Sequence, residues 1–452
     1  MKLLNDVTLQ LGEPLWALNP ELAVIDSILD TRPDIYNLVK DEITSGEKNN
    51  DLGRKDRPTV EQIVRAAIYK EVKKLSYREL EYEQYDSRIC EVFVKLNRRK
   101  PFSHEVLHKY ISRISGESLH NVLVFINKIA MEEGLEDGSK VRTDATVVET
   151  NIHYPTNNSL TWDCIKEIHR ILKKLKEMGF GIKVRNYQKQ AKKNYYKINN
   201  TPSKKKREEE FKKQLKIFRS SINQAERILS DLSFQNGLGV VEATLCDSLK
   251  KFLLTAEKVY EMTYRHEILG ETVPNDEKLF SIYEKHTDII VKGKRDVQFG
   301  HKINLSTGKS NLILDCEILE GNPNDTQLFE GVVERFERNY EIVPRDMVTD
   351  GGFASLKNQE LARKKGIVNI VFNKIVGSLK NIVTSKNIET RLKKWRSGIE
   401  AVISNLKRGY DLFRCEWKTK AHFDAKVLWS VIAYNIRVMA ALMLSKMEAQ
   451  TQ

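Results

Sequence analysis

Val141-Arg-Thr-Asp-Ala-Thr-Val-Val148 sets one acidic residue, Asp144, inside a run of β-branched side chains. Such side chains favour a pleated strand, so the spacing predicts one over 139–150. A carboxylate in mid-strand is costly to bury unless a cation meets it. A bound metal ion and a buried arginine would both serve.

Working outward towards the C-terminus, strand signals return from about residue 286. The stretch 288–319 reads as strands, with Ser306-Thr-Gly308 turning one back on the next. A loop, Gly321-Asn-Pro-Asn324, precedes a helical pattern over 326–340. Asp346-Met-Val-Thr-Asp350 is a short strand stopped by Gly351-Gly352. A helix over 355–365, a strand over 367–372 and a helix over 391–407 follow. Between the first strand and the second lies a helical block, 163–265. There Ile165, Ile168, Leu172 and Leu175 recur at helical spacing. Phe211, Leu215, Phe218, Ile222, Ala225, Leu229 and Leu232 form an unbroken heptad seam. Leu249, Phe252, Ala256, Val259 and Thr263 suggest a third helix. With that block set aside, the order is β-β-β-α-β-α-β-α, that of an RNase H-like α/β domain with a mixed sheet flanked by helices. A connection this long inside one sheet needs a core of its own, and the heptads supply it.

Towards the N-terminus the chain reads as helical. Thr59-Val-Glu-Gln62 and Ser76-Tyr-Arg-Glu79 are capping boxes opening two helices across a very short turn. That spacing serves a helix-turn-helix and a plain helical hairpin equally well. In the first case Arg78 would face DNA. The expected organisation is a helical, DNA-binding N-terminal domain over 1–135, an RNase H-like catalytic domain over 136–160 and 281–446, and a basic helical insertion over 161–280.

The net charge of +13 favours a polyanionic partner. Residues 171–220 hold 17 basic and 4 acidic residues, an excess equal to that of the entire chain. Lys204, Lys205, Lys206 and Arg207 are the densest cluster and candidate phosphate contacts. Five scattered cysteines without CxxC spacing argue against a zinc site or a disulfide framework and fit a reducing, cytoplasmic setting. No signal-peptide pattern opens the chain. The apolar stretch 427–444 contains Asn435 and Arg437, so a buried helix is expected there and a membrane span is not.

Three acids stand out by context. Asp144 lies within a strand. Asp350 lies where a strand meets a Gly-Gly turn, the end of a strand at which ligands gather in α/β sheets. Glu400 lies on a helix whose neighbouring face, Ile399, Val402, Ile403 and Leu406, suits packing on a sheet. Arg396 and Lys407 share the edge of that helix with Glu400 on a helical wheel. Such a trio of carboxylates suits two magnesium ions in an in-line phosphoryl transfer, with Arg396 and Lys407 on substrate phosphates. Each acid alone also has a plain reading: an arginine-paired strand residue, a turn aspartate, an i,i+4 ion pair with Arg396. Asp315, in a strand hairpin, is expected to face solvent. Glu149 and His153 read as loop residues, and Trp162 and Trp395 as core.

The segments RTDATVVETNIHYPTNNSLTWD (142–163), HTDIIVKGK (286–294), MVTDGGFAS (347–355) and RSGIEAVISNLKRGYDLFRC (396–415) resemble successive blocks of bacterial insertion-sequence DDE transposases, the ISNCY-like group above all. RPTVEQIVRAAIYKEVKKLSYREL (57–80) is similar to their helical, DNA-binding start. The resemblance implies Asp144, Asp350 and Glu400 as catalytic metal ligands for two Mg2+ ions, with Mn2+ able to substitute. It implies cleavage and strand transfer at terminal inverted repeats of double-stranded DNA, by a homodimer on paired ends. Related enzymes carry a Tyr-Arg-Glu-Lys signature. Arg396, Glu400 and Lys407 keep its spacing, while Lys393 stands at the tyrosine position. A nuclease of the same fold without strand transfer, and an inactive DNA-binding remnant, are the alternative readings.

Overall fold

The computed structural model describes residues 15–46, 57–97, 100–179, 182–233, 239–292, 296–375 and 378–451. The chain forms two compact units, Met1–Asn151 with Ile290–Gln452, and Ile152–Ile289.

The first unit is built on a mixed sheet of β1 (Lys140–Thr150), β2 (Asp288–Lys292), β3 (Asp296–Thr307), β4 (Ile313–Ile318), β5 (Asp346–Asp350), β6 (Asn369–Asn373) and β7 (Arg414–Cys415). β3 runs antiparallel to both β1 and β4. β1 runs parallel to β5, and β5 to β6. The order β4-β3-β1-β5-β6 fits an RNase H-like fold. β2 pairs with β3, and β7 adds two residues beside β1.

Helices described before the sheet are α1 (Pro20–Thr31), α2 (Asp34–Thr44), α3 (Val60–Lys73), α4 (Tyr77–Asp86), α5 (Arg88–Phe93), α6 (His104–Ile111) and α7 (Gly116–Glu132). Both expected capping boxes are present, at Thr59/Gln62 and Ser76/Glu79. α3 buries ten successive residues, Gln62–Glu71, so it is wrapped on all sides. Inside that wrapping Arg65 is fully buried, meeting Asp26 at 2.6 Å, Asp30 at 2.5 Å and Glu61 at 2.8 Å. A buried guanidinium is tolerable only with such partners.

The helices expected as a domain over 1–135 share one continuous apolar core with the sheet, from Leu22 through Ile126 to Phe329 and Ala440. The C-terminal helix Lys420–Thr451 seals it. By length and composition this helix could cross a membrane, yet 67% of its apolar window is buried. Its Asn435 donates to Asn127 Oδ1 at 2.9 Å and to the Ile313 carbonyl at 2.8 Å, and accepts from the Ile313 amide at 2.9 Å. These bonds fix it as a core helix, since buried amides need partners.

The second unit packs α8 (Asn157–Glu177), α9 (Gln188–Asn199), α10 (Lys204–Ser233) and α11 (Val240–Glu267) around a separate core. The heptad residues of α10 are buried, Leu229 only partly. α9 is an addition to the three helices expected. It buries only Ala191, Asn194 and Ile198, a stripe too thin to stand out in the sequence. The unit begins and ends somewhat outside the expected 161–280.

Candidate active site

β1 and β5 lie side by side, Thr143 opposite Thr349, so Asp144 and Asp350 follow one residue later on neighbouring parallel strands. Asp350 ends its strand. The chain then turns through Gly351–Phe353 towards α13 (Leu356–Lys364), and a β-carbon on residue 351 would meet the Asn373 and Lys374 carbonyl oxygens at 2.7 and 2.6 Å. Only glycine lets the turn pass so close to the end of β6.

The helix expected over 391–407 is interrupted. α14 (Lys386–Arg396) stops at Ser397, and α15 (Gly398–Gly409) begins directly after it. The junction is held by buried Arg142 of β1. Its guanidinium donates to the Trp395 carbonyl at 2.6 Å, to Thr307 Oγ1 at 2.9 Å and to Asn311 Oδ1, and it lies 4.6 Å from the Trp395 ring centroid. That clamp sets Arg396 and Glu400 over β1.

Arg396 then gathers the three acids. One Nη lies 2.6 Å from Asp144 Oδ2 and 3.9 Å from Asp350 Oδ1. The other lies 2.5 Å from Glu400 Oε1. Its side chain is 9% exposed, against 18% for Asp144, 43% for Asp350 and 63% for Glu400. Its Nε is buried without a hydrogen-bond acceptor. The trio chosen from the sequence is thus brought together, and by the arginine expected to hold phosphate. Burial raises the Asp144 carboxyl to about 6, and Asp350 and Asp325 push the same way. Arg396 and the Ala145 amide oppose them.

Asp325, missed in the sequence, is a fourth carboxylate here. It opens α12 (Asp325–Tyr340), meets Lys302 Nζ at 2.6 Å, and sits so close to Gly352 that a β-carbon there would lie 2.7 Å from its Oδ2. In the sequence it is an ordinary first-turn acid. Its place is set by how α12 docks.

Lys407 shares α15 with Glu400. Two turns along α15 from Glu400, it lies 5.7 Å from the Phe413 ring and lines a cleft with Lys74, Ser76, Tyr410 and Trp417. Lys74, at the tight turn after α3, donates to the Arg408 carbonyl at 2.6 Å and so caps α15. Arg78 is exposed on α4, beside Glu79, Glu81, Glu83 and Asp86, an acidic surrounding for a phosphate contact. Lys204 to Arg207 are all exposed in the first turn of α10. Lys176, Lys183, Arg185 and Arg227 line a groove of the same unit whose wall, among the described residues, holds no acid.

Asp315 does not face solvent. It is 1% exposed and is gripped by Arg335 Nε at 2.9 and 3.1 Å and Nη2 at 2.9 Å, because α12 covers this face of the sheet. Glu149 lies within β1 and pairs with Arg414 at 2.8 Å. His153 Nε2 lies 3.2 Å from Asp163. Trp162 and Trp395 are partly buried against apolar clusters, as expected.

The donors at the site are carboxylate oxygens on strand and helix ends, a set that suits a hard divalent cation. Among the described residues no three His, Cys, Asp or Glu side chains are disposed as metal ligands. The guanidinium of Arg396 stands where they converge, so the residues fit such an ion once Arg396 withdraws.

Residues 275–436 match the family model of a transposase DDE domain. Acid residues poised on an RNase H-like sheet define a class of DNA-cleaving enzymes, and the match includes Asp350 and Glu400 but not Asp144. Over that segment the chain is similar to the insertion-sequence DDE transposases. The family implies DNA as partner and, in general, divalent metal ions. No curated protein and no solved structure matches the chain.

Proposed function

We propose that this chain, of the ISNCY-like group, cuts DNA at the terminal inverted repeats of an insertion sequence and joins the freed ends to target DNA. The observation that carries the reading is the meeting of Asp144, Asp350 and Glu400 on one cationic group. Three separated stretches of chain would converge on a shared cation only if the site is built to hold positive charge.

Asp144, Asp350 and Glu400 would hold the divalent ions, taken to be two Mg2+, with Mn2+ as a substitute. When bound, the ions activate the attacking oxygen and stabilise the leaving one. The protein supplies the rest. The Arg142 clamp orients Glu400, and the Gly351 turn exposes Asp350. Phosphates meet Arg396 and the exposed cations of the second unit, Lys204 to Arg207 and the Lys176–Lys183–Arg185–Arg227 groove. The tight α3–α4 pair, with Arg78, is a second DNA-binding element. A homodimer would bring two DNA ends together. Both protein units would act in the cytoplasm, on the nucleoid.

The test is incubation with a labelled element end, target DNA and Mg2+ or Mn2+. Nicked and joined products are expected from the wild type and neither from D144N or D350N. Nicks without joined product would instead indicate a nuclease. Wild-type activity in either variant would overturn the site.

A further inference from the structure

We infer that Arg396 is a positioning residue that stands in for the metal: without a divalent ion its guanidinium holds Asp144, Asp350 and Glu400 assembled, and the ion must displace it. The inference rests on the metal-binding reading above and adds to it. Affinity for the ion is set by competition with a side chain of the protein itself.

Three features of the geometry point this way. A guanidinium is a planar fork with two outward nitrogens, and here one spans two strand carboxylates while the other takes the helix carboxylate. An ammonium is a single point charge without that fork. Next, the pose is not the best that an arginine could find, because Nε is buried with no acceptor. A buried donor left without an acceptor is costly. Its retention at 9% exposure means that the acids' need for a cation outweighs that cost. Last, one positive charge faces three carboxylates, with Asp325 nearby as a fourth. The cluster stays anionic and still attracts a divalent ion. Arginine keeps its proton at any workable pH, so it can neither ligate the ion nor tolerate it alongside. The break at Ser397 separates Arg396 from the helix that carries Glu400, so the two side chains can part without unwinding α15.

The experiment measures Mn2+ binding to the full-length, DNA-free protein by the electron paramagnetic resonance of the free ion, for wild type, R396Q, R396K and D350N. Circular dichroism checks folding. R396Q is expected to bind Mn2+ about tenfold more tightly than wild type, since the competent state no longer competes with the arginine. Its metal-free melting temperature should fall, and added Mn2+ should raise that temperature more than in wild type. R396K, which keeps the charge and loses the planar fork, should lie between. A residue that served only to hold the helices in place would give the opposite, weaker Mn2+ binding on its removal. Unchanged or weaker binding by R396Q, with wild-type binding lost in D350N, overturns this inference and leaves the metal site standing. Wild-type binding that survives in D350N overturns the metal site and the inference together, as does a failure of both wild type and R396Q to bind. If R396Q does not fold, R396K decides: tighter binding supports the inference, unchanged or weaker binding refutes it.

Discussion

The guanidinium of Arg142 fills the space in which a β-carbon on residue 398 would stand. The contact is closed from both sides. Arg142 is pinned by Trp395, Thr307 and Asn311, and α15 starts at Gly398 itself. G398A must therefore push the start of α15 off β1 or tear Arg142 from its acceptors. Overpacking of this kind costs about 1–3 kcal/mol. Urea unfolding should show that loss. DNA cleavage should fall further than stability alone explains, since Glu400 sits in the first turn of α15. Full activity with unchanged stability would mean that the junction is not held as described.

Asp325 adds negative charge beside Asp144 without touching Arg396. D325N is expected to reduce cleavage about tenfold, roughly 1.4 kcal/mol in barrier, rather than abolish it. The Mg2+ concentration for half-maximal rate should rise with it. A variant as dead as D144N would promote Asp325 to an essential ligand, and a silent one would remove it from the site.

Lys204 to Arg207 crowd four positive charges into the first turn of α10, where the helix dipole disfavours cations. DNA phosphates would relieve that repulsion. Changing all four to glutamine should weaken DNA binding and reduce the slope of log K against log salt by up to about 3.6, or 0.9 per phosphate released. An unaltered slope in a filter-binding titration would show that the cluster faces away from DNA.

His169 is 4% exposed and its Nε2 accepts a long hydrogen bond, 3.4 Å, from the Tyr187 amide. Burial lowers its pKa from 6.5 to about 4. The folded second unit thus binds fewer protons than the unfolded chain between those values. Stability conferred by neutral His169 is complete above about pH 6.5 and is lost as pH falls towards 4, by up to about 3 kcal/mol. Urea midpoints measured from pH 7 to 4 should decline less steeply in H169Q. Parallel curves would exclude the histidine as the cause.

Asp315 and Arg335 form a buried pair, 1% and 13% exposed. D315N removes one charge and leaves the other in a dry setting, with Glu317 at 2.7 Å as its remaining partner. A loss of about 3 kcal/mol in urea unfolding is expected. A change below about 1 kcal/mol would mean that Glu317 suffices.

Much of this was legible in the chain because local rules and tertiary structure agree. The capping boxes at Thr59 and Ser76 name their helices. The strand Asp346–Asp350 has the bounds that its flanking turns suggest. The strand order follows once the heptads of α10 mark the intervening block as having its own core. What escaped was set by contacts distant in sequence. A helical wheel drawn through 391–407 cannot anticipate a break at Ser397, so Arg396 seemed to share one unbroken helix edge with Lys407. Asp315 was misjudged because nothing local reveals that α12 covers it. Asp325 looks like any acid in a first turn. The continuous core beneath the N-terminal helices and the sheet is equally invisible, since an apolar helix face does not name what it packs on.

Glu149 and Gly300 are register partners across β1 and β3, although all of Ile152–Ile289 intervenes. Topologically the second unit is an insertion between β1 and the β2–β3 pair, grown to the size of a domain. Excising it would leave Asn151 at the end of β1 and Ile290 in β2, with β3 between the two strands. Such a cassette can be exchanged, enlarged or discarded during descent without rethreading a single strand.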